Sequence, residues 1–447
     1  GNVAIGYQSL DAEATGDSST AVGYQTLTAQ TGIDGKVANT AVGYGSIKSI
    51  TNGIENTAVG YGTLDAAAHD ETGNTAIGAS AMGAVAQQEA SGSGRIAKEN
   101  VALGAEALFG GGLASTKDLI GNVAIGYQAM DATAGNAQTG VVAIGHSALG
   151  ALTSGVGNTA VGYLAGQYLT TGGGNTIFGY NAFGTSTSGT NLTASSDNVA
   201  IGKDSLGGDW VDDGGGAESN VALGSGTMVA AINGANHNVA IGRHSQAGNI
   251  SGDFNISVGS LSGDTITTGS NNILLGYHTE ASAVDVTYEI VIGTGVDASN
   301  AFAGAGTETV KIGRASDFIT CDFGENATWS HSSDIRIKKD IEDSELGLSF
   351  INDLRPVTFK KKAPSEYPET FDGYDANETE RKNPDRKHYG FIAQEVKEAM
   401  DKAGHSEFPV WSEGKDGMQE LGETELITPL IKAIQELTAK VEALENK

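Results

Sequence analysis

The chain has one cysteine in 447 residues, Cys321, so no disulfide can form within it and a disulfide-stapled secreted module is excluded. A single thiol leaves the redox compartment open. Proline is missing from the whole first part: all six, Pro356, Pro364, Pro368, Pro384, Pro409 and Pro429, lie beyond Ser333. Cationic side chains are scarce, with 26 Lys+Arg against 54 Asp+Glu and a formal charge of −28. That balance argues against a nucleic-acid partner, because phosphate contacts need Lys and Arg. No apolar run approaches the ~20 residues of a membrane helix, so neither a membrane span nor a signal peptide is expected.

What the chain has instead is glycine, 65 residues of it, unevenly spread. Residues 1–332 hold 58 Gly with 9 Lys+Arg and 29 Asp+Glu; residues 333–447 hold 7 Gly with 17 Lys+Arg and 25 Asp+Glu. The abrupt rise in charge density reads as a domain boundary. Glycine at this level without proline, and without a three-residue period, is neither collagen nor a Pro-rich linker.

An internal repeat accounts for the glycines. Its core is Asn, then Val or Thr, Ala, an aliphatic residue and Gly, as in Asn2-Val-Ala-Ile-Gly6, Asn56-Thr-Ala-Val-Gly60 and Asn122-Val-Ala-Ile-Gly126. The Gly recurs at 6, 23, 43, 60, 78, 104, 126, 145, 162, 179, 202, 224, 242, 259 and 276, never closer than 17 residues, with Gly293 and Gly313 as degenerate continuations. Asn opens every core except those starting at Ser19 and Val141. Each core is followed by a second short piece (Tyr7 to Leu10, Tyr61 to Leu64, Tyr127 to Met130), expected to be extended, and then by a Gly, Ser, Thr and Asp-rich turn. Short strands punctuated this regularly, with no helical periodicity, predict the rungs of a β-solenoid. The long gaps at 79–99 and 180–197 are expected to be loops.

Strand alternation places Val/Thr and Ile/Val of the core on one face, Ala and Gly on the other. Neither face looks solvated, and the rungs carry few large side chains. The Ala/Gly face is therefore expected to meet another chain at close range, giving an intertwined oligomer. The recurrent Asn suits two readings, a hydrogen-bonded ladder up the stack or a residue that favours the turn entering each strand.

Residues 1–295 resemble the head repeats of trimeric autotransporter adhesins and the Asn-Thr-Ala-Ile-Gly-Tyr repeats of phage tail fibres. The resemblance implies a trimeric shaft and identifies no ligand.

From Ser330 the character changes. Three landmarks follow in order: Ser333-Asp334-x-Arg336-x-Lys338, then Gly390-Phe-Ile-Ala-Gln-Glu-Val396, then a terminal apolar helix. Together they resemble the endosialidase-type intramolecular chaperone, a C-terminal module that folds its trimer and then cuts itself off. The resemblance implies a scissile bond between Ser332 and Ser333, with Ser333 as nucleophile and Lys338 as base. A serine hydroxyl needs such a base, and lysine serves only where desolvation lowers its proton affinity. Ser333 and Lys338 lie on opposite faces of a regular strand and about 140° apart around a helix. A turn or a neighbouring chain must bring them together. Taken alone, the same residues also read as a turn at Ser333-Asp334 followed by a solvated strand face at Arg336, Lys338 and Lys339.

The last segment carries Ile427, Ile434 and Val441 at heptad position a and Leu430, Leu437 and Leu444 at d, with Pro429 suited to a first turn. This seam suits dimers as readily as trimers; Ile431 at e widens it towards higher order. An ordinary amphipathic helix packed on its own domain is the alternative.

Other candidates carry less. Asp209, Asp212, Asp213 and Gly214 to Gly216 offer oxygen ligands for Ca²⁺, but the Gly-Gly-x-Gly-x-Asp repeat of calcium β-rolls is missing. His69, His146, His237, His244 and His278 are dispersed, with no metal-ligand spacing. Tyr163, Tyr168, Tyr180 and Trp210 suit sugar stacking, yet Tyr after the repeat Gly is a recurrent position and reads as rung packing. Cys321 reads as a small buried hydrophobe.

The sequence thus predicts a mainly β protein: a trimeric β-solenoid or β-roll shaft of roughly 17-residue repeats at 1–295, a transition segment at 296–332, a small α+β chaperone and autoprotease domain at 333–425, and a coiled-coil helix at 426–447. The expected role is a tail fibre or tail spike of a phage or phage-like particle, made in the host cytoplasm and placed on the virion. Expected partners are two further copies of the chain, a host cell-surface glycan or protein, and tail or baseplate proteins bound through a region before Gly1. Enzymatic activity is expected only as Ser/Lys self-cleavage, with no cofactor or metal. A bacterial surface trimeric adhesin, or the fibre part of a polysaccharide depolymerase, are the rival readings.

Overall fold

The Asn-x-Ala-x-Gly cores form three-residue strands that stack in parallel and in register. Ala4 lies on Ala21 and Ile5 on Val22 in the first pair, and Ile256 lies on Ile273 in a late one. The same parallel sense continues past residue 295, through Ile290–Thr294 to Thr309–Arg314. Asp317–Asp322 and Trp329–Ser330 then complete a 19-stranded sheet in antiparallel fashion. The first part of the chain is a β-solenoid. This computed structural model describes all residues except 32–34, 67–70, 86–96, 111–117, 134–137, 185–194, 209–215, 231–232, 325–328, 331–332, 372, 381–383 and 447. Most of the two expected long loops, and Asp209, Trp210, Asp212, Asp213, Gly214, Gly215, His69 and Ser332, therefore lie outside the described residues.

The strands alternate as expected, but their faces are used the other way round. Ala21, Ala41, Ala58 and Ala76 are 0% exposed and point into the coil, while the flanking Val/Thr and Ile/Val side chains face outward, most of them half-buried. The Ala/Gly face does not meet another chain. The coil is narrow, and methyl groups on one wall leave room for the long side chains of Leu27, Leu64, Met130 and Leu206 in the same core. Those long side chains come from the second piece of each repeat, which is a turn and not an extended strand. Its second and fourth residues adopt left-handed backbone, as in Gln25 (φ 53°) and Leu27 (φ 49°). The Gln25 N–H donates to Tyr7 O of the preceding rung (2.9 Å) and the Leu27 N–H to Ser46 O of the following one (3.2 Å). Alternating handedness thus satisfies successive amides in both directions along the stack.

The repeat Gly is required by the rung beneath it. At Gly162, φ is +145° and an added Cβ would lie 2.3 Å from the Gly179 carbonyl oxygen. The repeat Asn forms a buried ladder. Asn56 Oδ1 accepts from both the backbone N–H and Nδ2 of Asn74, each at 3.0 Å, while Asn56 Nδ2 donates to Glu71 O at 2.7 Å. The chain of contacts runs from Asn39 to Asn122 and again from Asn158 to Asn272. At the interruption the Val141 N–H still donates to Asn122 Oδ1, at 3.0 Å. Of the two readings of the Asn, the ladder is the one the fold uses.

Aromatic residues after the repeat Gly stack on the outside. Tyr7, Tyr24, Tyr44 and Tyr61 form one column with centroids 5.0–5.3 Å apart, and Tyr127, His146, Tyr163 and Tyr180 form another. They are rung packing, as expected, although they remain largely exposed. Cys321 is buried in the closing antiparallel strands.

The chain divides into two compact units, Gly1–Ser332 and Ser333–Lys447. Among its described residues the second has three α-helices, α1 (Leu348–Asp353), α2 (Ala393–Ala403) and α3 (Ile427–Glu445), with antiparallel pairs of Val357–Phe359 with His388–Gly390 and Trp411–Glu413 with Gln419–Leu421. Its small core gathers Leu346, Phe350, Val396, Met400, Val410 and Leu426. Glu436 of α3 accepts the Leu348 N–H at 2.9 Å, satisfying one open amide of α1. Among the described residues, no helix is long and apolar enough to cross a membrane.

Candidate functional site

Residues 333–338 form a tight local turn. The Asp334 carboxylate caps a single 3-10 turn at Ile335–Ile337, accepting the Arg336 N–H at 2.8 Å, and the Lys338 N–H closes it on Ile335 O at 3.1 Å. Arg336 folds back on the same carboxylate through Nε (3.0 Å) and Nη2 (2.6 Å). The side chain and backbone N–H of Arg336 hold the Asp334 carboxyl below the usual carboxylate range.

The turn supplies what neither a strand nor a helix could. Lys338 Nζ donates to Ser333 Oγ at 2.8 Å, so the two residues singled out in the sequence are in hydrogen-bond contact within one chain. Ser332, on the other side of the expected scissile bond, lies outside the described residues. Ser333 and Lys338 are both exposed, as is the whole stretch to Asp340. The two side chains are in contact but both exposed, and a lysine serves as a base only where burial lowers its proton affinity. Ile335 and Ile337 are 71% and 67% exposed, an apolar surface beside the pair that no described residue covers.

The second landmark has a structural part. Phe391 and Val396 pack in the core, and Glu395 binds the Arg355 guanidinium. The third landmark, the a and d residues of α3, is 44–69% exposed from Ile427 to Leu444.

Residues 333–405 match the family of the chaperone of endosialidase. The match begins at Ser333, where the second compact unit begins, and includes both sequence boxes. The end of the chain is thus a small chaperone domain, similar to a family of self-cleaving chaperones. Searches of curated proteins and of solved structures returned no match.

Proposed function

We propose that the protein is a trimeric fibre or spike whose C-terminal chaperone domain brings three chains together, registers the solenoid, and is then released by cutting the Ser332–Ser333 bond. The observation that carries this reading is the exposed seam of α3: Ile427, Leu430, Ile434, Leu437, Val441 and Leu444 have no partner within the chain's own core. A second apolar strip on the shaft, including Ile5, Leu103, Phe178 and Leu223, is also exposed, and another copy of the same repeat would match its rung spacing.

In the proposed reaction the hydroxyl of Ser333 attacks the carbonyl carbon of Ser332 while neutral Lys338 takes the hydroxyl proton. A C–O bond forms, the C–N bond to the Ser333 nitrogen breaks, and that nitrogen leaves as the amine carrying the proton. Water then hydrolyses the ester and restores the Ser333 hydroxyl. Because Lys338 is exposed in the single chain, cleavage waits for the assembly that buries it. The shaft, freed of its chaperone, serves on a phage or phage-like particle and presents its loops to a host-surface glycan or protein.

Denaturing electrophoresis tests the chemistry. The wild type is expected to yield a Ser333–Lys447 fragment, and Ser333→Ala or Lys338→Ala to yield the intact chain. Cleavage surviving both substitutions would rule out the Ser/Lys pair.

A further inference from the structure

Near the C-terminal end of the repeats, rung stacking gathers Asp264, His278 and Glu280. A ring nitrogen of His278 and one carboxylate oxygen from each acid lie within 4.8 Å of one another. In sequence the histidines looked dispersed, because the partners of His278 come from its own rung and the preceding one. His278 and Glu280 are only 8% and 4% exposed; Asp264 is half-buried and forms the open side of the cluster.

The cluster is oriented. His278 Nδ1 lies 2.8 Å from the Asp297 carbonyl oxygen, which can only accept, so Nδ1 carries the proton and the Nε2 lone pair is left available. A backbone carbonyl that fixes the far side of an imidazole is the usual outer support of a metal-binding histidine. Glu280 is held as well: Oε2 accepts from the Thr265 N–H at 3.2 Å and from its hydroxyl, and Oε1 accepts the Asp264 N–H at 3.3 Å.

We propose that Asp264, His278 and Glu280 bind one divalent transition-metal ion, with Zn²⁺ as the best fit, that clips successive rungs at the end of the shaft. One imidazole with two carboxylates is a borderline donor set suited to Zn²⁺, and bonds of ~2.0–2.2 Å close the present spacing by small side-chain adjustments, leaving further positions to water. The role is structural.

The test uses the full chain stripped with a chelator. Calorimetric titration with Zn²⁺ is expected to show one ion per chain and a raised thermal midpoint, and Co²⁺ is expected to give visible absorption bands at the same stoichiometry. His278→Gln and Glu280→Gln, each checked for folding by circular dichroism, should weaken binding at least about tenfold, whereas His244→Gln should not change it. If His278→Gln misfolds, the isosteric Glu280→Gln decides. Failure of the wild type to saturate, or unchanged binding in Glu280→Gln, would overturn the site.

Discussion

The two units of this chain solve the problem of burying apolar surface in opposite ways. Gly1–Ser332 makes its core from repetition: Ala on one wall, Leu, Ile or Met on the other, a buried Asn ladder and a glycine per rung whose hydrogen is the only substituent that fits. Ser333–Lys447 makes a small irregular core of Phe350, Met400, Val410 and their neighbours, and leaves its longest helix half uncovered. The solenoid is largely satisfied along its own axis, whereas the second unit leaves the apolar a and d residues of α3 exposed. The proposed function uses this difference: an exposed seam can recruit further copies, and rungs locked by backbone contacts can persist once the proposed cleavage has occurred.

Glycine substitutions should break this comparison most sharply. Gly162→Ala in the shaft places a Cβ 2.3 Å from a carbonyl oxygen at φ +145°, and a loss of on the order of 3 kcal/mol or more in chemical denaturation is expected. Gly404→Ala in the chaperone domain, at φ +80° with nothing within 4 Å, should cost about 1 kcal/mol, the ordinary penalty for a left-handed helix cap. Equal costs would mean that the rung contacts do not set the difference.

The Asn ladder comes next. Asn175→Ala removes the acceptor for the buried Asn198 backbone N–H (3.0 Å), while Asn198 Nδ2 keeps its bonds to Ser196 O (2.9 Å) and Ala217 O (2.8 Å). A loss of about 1–3 kcal/mol is expected from the denaturation midpoint. The smallest effect belongs to the exposed chaperone-domain pair: Arg355→Ala, which frees Glu395, should leave the unfolding midpoint nearly unchanged. A large shift there would show that the second unit depends on its surface ion pairs.

The repeat, its period and the solenoid were legible because a three-residue strand and an obligatory glycine recur in the text itself. Which face turns inward was not, since Ala and Val are both apolar and only the width of the coil decides between them. The Tyr-x-x-Leu piece also misled: its composition suits a strand, but alternating handed backbone at residues such as Gln25 and Leu27 makes it a turn. Ser333 and Lys338 were found as a motif, whereas the Asp334 cap that brings them to 2.8 Å is visible only in three dimensions. The Asp264, His278 and Glu280 cluster was hidden for a related reason, as its spacing is that of a rung and matches no local metal motif.

The central claim is that the Ser333–Lys338 pair is pre-formed but inert until assembly covers it. Leu437→Asp tests it directly, because Leu437 is half exposed in the single chain and its replacement should abolish association without disturbing the domain's core. The fraction of chain cleaved, read by denaturing electrophoresis on species separated by size, is the measurement. The account predicts cleaved wild-type trimer and an uncut Leu437→Asp monomer; a monomer cut as completely as the wild type would contradict it.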